Sequence, residues 1–330
     1  MKYFFLTLLI IMLSACSASV LHRQADAFLR GMPADLQDRQ ADAIELAIAG
    51  DNSALETVRS SRNAAPEISP GVDTCMLTPA LRLYSPKGTA GERLPLLIYL
   101  HGGGWTFGSL NSCARFCNAM AASGAVRVLA VDYRLAPEHP YPAGLGDCCA
   151  ALQYACEHAA DLGIDAQRIS IGGDSSGGNL AIDTALRQSQ AVHSLVLFYP
   201  VTKAFADGSD SWARYGRGYG LDSCIMEQFN RAYTLHAEPT DTLISPGLCA
   251  DATIAALPPT LLVAAERDIL RDQGREFAAK APQRIKRVEL PYTVHLFITV
   301  PGQDAAFNQA VNLALEFLCA KKFGEMNYLR

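Results

Sequence analysis

Two glycine-rich segments carry residues of the kinds and at the spacings that acyl-transfer chemistry needs. His101-Gly102-Gly103-Gly104-Trp105 follows the apolar run Leu96–Leu100, and Gly172-Gly173-Asp174-Ser175-Ser176-Gly177-Gly178 follows Arg168–Ile171. The second segment contains Gly173-x-Ser175-x-Gly177, the spacing of a serine raised on a sharp strand-to-helix turn. Ser176 does not meet that spacing, because Asp174 stands where its leading glycine would be. A serine hydroxyl is a weak nucleophile until a base takes its proton, and the tetrahedral anion that follows needs N–H donors. The glycine N–H groups of the first segment are able to supply them. Together, in this order and each after a strand-like run, the two segments predict an esterase. A Gly/Ser-rich phosphate-binding turn is the competing reading, but no P-loop lysine follows and no dinucleotide fingerprint is present.

A base and an orienting acid must complete such a site, in the chain order Ser, then Asp or Glu, then His. Three histidines follow Ser175: His193, His236 and His295. His193 opens a predicted core strand and His236 falls in an irregular stretch. His295 lies just past the last predicted strand, where a loop can return it to the serine, and is the predicted base. The acid lies between them, and Glu266, Asp268 and Asp272 all follow the penultimate predicted strand. Any of these carboxylates is able to hold the imidazole in its useful tautomer, and spacing alone does not separate them.

The elements that must position these groups alternate along the chain. Apolar runs predict strands near 81–84, 94–100, 126–133, 168–172, 194–199, 259–264 and 287–291. Helical spacing predicts helices near 112–123, 143–160, 177–187, 271–280 and 304–323. Such alternation implies an α/β fold with a mostly parallel central sheet and helices on both faces, because parallel neighbours need crossover connections. From Val20 to about Asn63 the pattern is amphipathic and helical until Pro66, Pro70 and Gly71 break it. Residues 201–256 interrupt the rhythm and read as an insertion with short helices, forming a helical cap with the N-terminal helices. The expected organisation is therefore a signal peptide over 1–15, cap helices and linker over 16–74, and a catalytic domain over 75–330 carrying the insertion.

With 330 residues, half of them hydrophobic and 18% charged, the chain can bury a sizeable core and is not disordered. A net charge of -5 without basic runs argues against a nucleic-acid partner. Met1-Lys2 precedes an uncharged apolar run from Tyr3 to Leu13, shorter than the roughly 20 residues of a spanning helix, with the make-up of a signal peptide. Its end, Leu13-Ser14-Ala15-Cys16, resembles the lipobox of bacterial lipoproteins. That resemblance implies lipid attachment at Cys16 and a membrane anchor in the exported bacterial cell envelope, at the outer membrane or periplasm; Ser17 resembles an outer-membrane signal more than an inner-membrane retention signal. Of ten cysteines, removing Cys16 leaves nine, an odd number, so at least one thiol stays unpaired within the chain. No pair has zinc-finger spacing, and small buried hydrophobes are the expected role for most.

Four stretches together resemble the hormone-sensitive lipase family of α/β-hydrolases, the esterase/lipase group with the H-G-G-G motif. They are His101–Trp105, Asp132-Tyr133-Arg134-Leu135-Ala136-Pro137-Glu138-His139-Pro140-Tyr141-Pro142-Ala143, Gly173–Ala181 and Asp268-Ile269-Leu270-Arg271-Asp272. The resemblance runs from about residue 75 to 320. It implies the α/β-hydrolase fold with a cap, Asp268 as the acid of a Ser175–His295–Asp268 triad, and oxyanion donors on the backbone of Gly103, Gly104 and Ser176. His101 and Gly102 would support the oxyanion loop, and Arg134 and Asp147 would be structural. It further implies short to medium acyl esters as small-molecule substrates, an acyl-enzyme intermediate, and no metal or organic cofactor. An amidase such as an arylformamidase shares the H-G-G-G loop and is the alternative enzyme. A non-catalytic ligand-binding protein on the same fold is the alternative of another class, which the retained Ser175, Asp268 and His295 argue against. Two departures stand out: Leu296 replaces the glycine usual after the base, and Glu266-Arg267 replaces small residues before the acidic loop.

Overall fold

The computed structural model describes residues 18–320; the segment 1–15 and Cys16 lie outside the described residues. An eight-stranded sheet forms the centre, in the order β1-β2-β4-β3-β5-β6-β7-β8. Its strands are β1 (Val72–Thr78), β2 (Leu81–Pro86), β3 (Leu94–Leu100), β4 (Arg127–Val131), β5 (Ile164–Asp174), β6 (Leu195–Phe198), β7 (Thr260–Arg267) and β8 (Ile285–Val294). β1 and β2 enter antiparallel, and every pairing from β4 onward across the sheet is parallel.

The apolar runs read as strands are buried on both faces. In β3, Leu96, Ile98 and Leu100 join one half of the core while Leu97 and Tyr99 join the other. That is the alternation of a strand covered on each side. Helices α4 (Ala114–Ala122) and α11 (Asp304–Cys319) cover one face. The other is covered by α5 (Ala143–Glu157), α6 (Ser176–Arg187) and α10 (Arg271–Ala279). β1 is absent from the strands predicted from sequence, and it starts at Val72, inside the stretch read as linker. As an edge strand it buries Val72 but exposes the next four side chains, so no apolar pattern marks it. β5 and β8 are both longer than their apolar cores suggested, and the end of β8 at Val294 delivers His295 directly.

The N-terminal stretch forms three helices: α1 (18–31), α2 (Leu36–Ile48) and α3 (Ser53–Ser61). The chain between β6 and β7 carries α7 (Asp210–Tyr215), α8 (Ser223–Tyr233) and α9 (Asp251–Ala255). α2 lies against α8, where Ile44 and Phe229 share the same core, and Arg217 grips Asp38 through two 2.6 Å contacts. α1 is tied to the far end of the sheet by Asp26–Arg267 at 2.9 Å and a His22–Tyr292 ring stack. No helix among the described residues is long and apolar enough to cross a membrane. The nine described cysteines are all free thiols, with Cys113, Cys117, Cys148 and Cys249 buried.

One buried carboxyl makes a stability prediction. Asp183 of α6 is 0% exposed, and neither of its oxygens has a hydrogen-bond partner among the described residues. Burial pushes its pKa well above the ordinary carboxylate range, outweighing the attraction of Arg187 and helped by the repulsion of Asp241. The folded state therefore holds this proton more tightly than the unfolded chain, and stability falls as pH rises above about 4. Asp183→Asn should melt higher than the parent at pH 8, with the gap closing toward pH 4. A gap that does not narrow with falling pH would show that this carboxyl is not the source.

Candidate active site

β5 ends at Asp174, α6 begins at Ser176, and Ser175 between them has φ 55° and ψ -119°. A non-glycine residue rarely adopts a positive φ. It persists here because the turn is bonded on both sides: Ser175 N–H donates to Phe198 O (2.9 Å), and Ser175 O accepts from Val201 N–H (3.1 Å). A Cβ on Gly173 would overlap the backbone of Gly177 and Leu100, and one on Gly177 would overlap the carbonyls of Leu100 and His101. The two glycines of the motif are thus required where α6 presses on the end of β3.

His295 is 1% exposed. Its Nε2 lies 3.1 Å from Ser175 Oγ and its Nδ1 lies 2.7 Å from Asp268 Oδ2. Asp268 is equally buried, and its other oxygen accepts the N–H of Leu270 at 2.9 Å. The two other candidate acids are occupied elsewhere. Glu266 accepts Tyr292 N–H at 2.6 Å, bracing the last turn of β8. Asp272 pairs with Arg271 (2.9 Å) and Arg275 (3.2 Å) and accepts Ser211 N–H (2.8 Å), holding the insertion to α10. His193 and His236 are exposed and line no part of the cavity at Ser175. Spacing left three acids open because all three sit within seven residues; only the fold directs one carboxylate at the imidazole.

The glycine segment after β3 closes over the same point. Gly103 has φ 123° and its carbonyl accepts Phe107 N–H at 2.8 Å, while Gly104 has φ 60° and packs so closely on the Phe229 ring that a Cβ would not fit. Gly102, Gly103, Gly104, Ser175 and His295 line one cavity. Ser176 opens α6, where first-turn N–H groups have no intrahelical acceptor and the helix end is electropositive. His101 is fully buried and stacked on Tyr133 with ring centroids 4.3 Å apart. Burial pushes its pKa down to about 4, so the ring is neutral at pH 7, and Nδ1–H donates to Gly102 O at 2.9 Å. Tyr133 O–H donates to His101 O at 2.6 Å. Arg134 and Asp147 form a fork of contacts near 2.9 Å beside this loop, away from the cavity.

Two residues with evident positioning roles were not singled out from sequence. Asp174 accepts Tyr99 O–H (2.9 Å) and Gly102 N–H (3.0 Å) on one oxygen, bonding the glycine loop to the serine turn. Burial raises its pKa to about 6 despite those donors. Gln303 clamps the loop that carries His295: its Nε2 donates to His295 O (3.1 Å) and Val294 O (3.3 Å), and its Oε1 accepts Val294 N–H (3.1 Å). Asp174 sat inside the quoted motif, whereas no local pattern marks Gln303.

The cavity measures about 860 Å³. Its walls come from all the parts described: α1 and α2, the end of α3, the glycine loop, α8 of the insertion and the segment after His295. Leu296, next to His295, also lines it and has φ 73°, a left-handed conformation that suits the glycine usual at this place in the family it resembles.

Residues 97–299 match the family model described as the alpha/beta hydrolase fold. A carboxylesterase of Mycobacterium tuberculosis is 36% identical over 236 residues, covering 66% of this chain and 70% of that protein. An ethyl acetate hydrolase of Pseudomonas putida is 39% identical over 251 residues, covering 72% and 77%. Among solved structures, a hyperthermophilic esterase from Pyrobaculum calidifontis matches with a TM-score of 0.70 at 29% identity, covering 87% of this chain and 98% of that one. A thermostable esterase from Pseudomonas putida gives 0.74 at 25% identity, covering 90% and 94%. The chain belongs to the alpha/beta-hydrolase fold family. Within that family it is a serine hydrolase of the esterase kind.

The Gln303 clamp can be tested directly. Gln303→Ala should lower kcat for a 4-nitrophenyl ester by about ten- to hundredfold, the scale of a misplaced reacting group. The far-ultraviolet circular dichroism should stay that of the parent. An unchanged kcat would mean that the segment after β8 holds its shape without this side chain.

Proposed function

We propose that this enzyme hydrolyses carboxylic esters of short to medium acyl chain length with Ser175 as nucleophile, His295 as base and Asp268 as orienting acid. The observation that carries the reading is the unbroken chain of contacts from Ser175 Oγ to His295 Nε2 and from His295 Nδ1 to Asp268 Oδ2, buried at one wall of the cavity. Ser175 Oγ attacks the ester carbonyl carbon as its proton passes to His295 Nε2. The imidazolium keeps its Nδ1–H on the Asp268 carboxylate, which stabilises the positive charge. The carbonyl oxygen becomes an oxyanion held by the N–H groups of Gly103, Gly104 and Ser176. As the tetrahedral intermediate collapses, His295 returns the proton to the departing alcohol and an acyl-Ser175 ester remains. Water repeats the sequence, giving up a proton to His295, and frees the acid. The acyl range is supported by the relative named for ethyl acetate and by Leu296, whose bulk beside the base narrows the wall.

Ser175→Ala should lose several orders of magnitude in kcat, since the members of such a set act as a unit, while Ser176→Ala stays mild because that position works through its backbone. Asp268→Asn should lose roughly ten thousandfold, far more than Asp272→Asn. Steady-state rates on 4-nitrophenyl esters of graded length read all four variants and the acyl range together. The reverse order of the two aspartates would move the acid to Asp272.

The same proposal places the mature chain on the cell-envelope membrane of a bacterium through lipid on Cys16. Support comes from the apolar run 3–13 and the small residues before the cysteine. Several acyl chains on one residue anchor stably, at about 0.8 kcal/mol per buried methylene. Cys16→Ser should release the enzyme from membranes or block its processing. Mass spectrometry of the mature N-terminus decides the matter: an unmodified Cys16, or a cut on its C-terminal side, rules the anchor out.

A further inference from the structure

We propose that Arg62 is a specificity-determining residue of the cavity and that the preferred esters carry a second, anionic group, a carboxylate set back from the scissile bond, which the Arg62 guanidinium binds. The inference rests on the ester-hydrolase reading and names its substrate class. Arg59 and Arg62 leave the end of α3 three residues apart and meet opposite fates. Arg59 is fully engaged: it pairs with both Glu138 oxygens (2.6 and 2.9 Å) and donates to the carbonyls of Thr106 (2.8 Å) and Ala136 (2.9 Å). Arg62 pairs with no carboxylate among the described residues. Among the described residues its side chain makes a single hydrogen bond, from Nη2 to Gln40 Oε1 at 3.1 Å, and its guanidinium carbon stands 4.8 Å above the centre of the Phe107 ring.

Arg62, Gln40 and Phe107 all line the cavity that holds Ser175 and His295. A guanidinium has five N–H donors in a rigid fork, and most of this one's are uncommitted. That fork matches the two oxygens of a carboxylate, and the paired contacts are among the stronger hydrogen bonds a protein makes. Packing against Phe107 and Gln40 withdraws the charge partly from water, and desolvation lowers the guanidinium pKa. A cation so placed without a counterion is a standing electrostatic cost that an incoming anion offsets. Of the other titratable side chains on the cavity wall, His295 faces Ser175, and Asp174 is bonded to Tyr99 and Gly102 beside it. The negative group thus sits at the serine end, and the cation comes from the cap. A substrate that places its reacting carbonyl at Ser175 and turns its carboxylate toward α3 keeps that carboxylate away from Asp174 and against the guanidinium.

The test compares esters matched except for charge. On the acyl side these are 4-nitrophenyl hexanoate and the mono-4-nitrophenyl ester of adipic acid; on the alcohol side, phenyl butyrate and 4-carboxyphenyl butyrate. The parent enzyme should prefer the charged member of one pair, which also tells whether the carboxylate belongs to the acid or the alcohol. In Arg62→Met the charged-to-neutral ratio of kcat/KM should fall at least about tenfold, the scale of a charge-assisted pair, and in Arg62→Lys it should fall less. Sodium adipate should inhibit hexanoate hydrolysis competitively in the parent, with a Ki at least about tenfold higher in Arg62→Met. Ratios that stay within about twofold in Arg62→Met overturn the inference. If that variant does not fold, the parent alone decides: no preference for either charged ester and no inhibition by adipate overturn it equally. A parent that hydrolyses the neutral esters without such a preference refutes this inference alone, whereas one that hydrolyses no ester refutes the reading of the site on which it rests.

Discussion

The site depends on how closely three backbones approach at one turn. β5 must end, reverse through a residue at positive φ, and start α6 directly beneath the end of β3. Strain of that kind costs on the order of 1–3 kcal/mol and persists only where the surroundings over-determine it. Here they do so through the Ser175 hydrogen bonds to Phe198 and Val201 and through a contact too tight for any side chain at Gly173 or Gly177. A Cβ on Gly102 would overlap the Asp174 carboxyl, so the glycine loop joins the same close-packed point. The strained turn lifts the serine hydroxyl out of the sheet edge, where the loop after β8 can reach it.

The cap completes the cavity and is coupled to the same point from the other side. Gly104 rests on Phe229 of α8, and Trp105 stacks on Tyr233 of the same helix, with centroids 4.3 Å apart and rings within 3° of parallel. Arg59 of α3 holds the turn after the glycine loop through the Thr106 carbonyl. The ion pairs that tie the N-terminal helices to the insertion, Arg217–Asp38 and Arg231–Glu45, are exposed, and such pairs contribute about 0–1 kcal/mol each. Burial of Ile44 and Phe229 between α2 and α8 stabilises the contact more than these charges do, and the charges set the register in which the helices meet.

Buried polar groups here divide by whether the fold supplies partners. Asp268 is enclosed and matched on both oxygens by Leu270 N–H and the imidazole. His101 avoids the cost of a buried cation by remaining neutral and uses its one N–H on Gly102. Asp183, further along α6, is equally enclosed with neither oxygen matched among the described residues, and burial raises its pKa well above the ordinary carboxylate range.

Local chemistry explains what was legible in the chain itself. The doubly buried strands appear as unbroken apolar runs, the sharp turns as glycine clusters, and the serine as the one residue meeting a spacing that only a strand-to-helix turn demands. Those are short-range constraints, and a one-dimensional pattern can hold them. β1 was not legible because an edge strand with exposed side chains has no apolar period. Glu266, Asp268 and Asp272 were indistinguishable by spacing, being six residues apart at most; the path of the chain after β7 turns one carboxylate inward and leaves the others to Tyr292 and to Arg271. Gln303 and Arg62 carry no local signature at all. One acts on a loop eight residues back, and the other reaches a cavity wall built from segments more than a hundred residues apart, so their roles exist only once the sheet, the cap and the loop after β8 have met. The sequence by itself determined the fold class and singled out Ser175 as the candidate nucleophile, through steric and hydrophobic rules acting within a few residues. What spacing left open among Glu266, Asp268 and Asp272, and what only a family resemblance favoured, the tertiary structure resolved by bringing Asp268 to His295. It alone brought Arg62 to the cavity wall, because those placements depend on distances between parts that the chain order does not bring together.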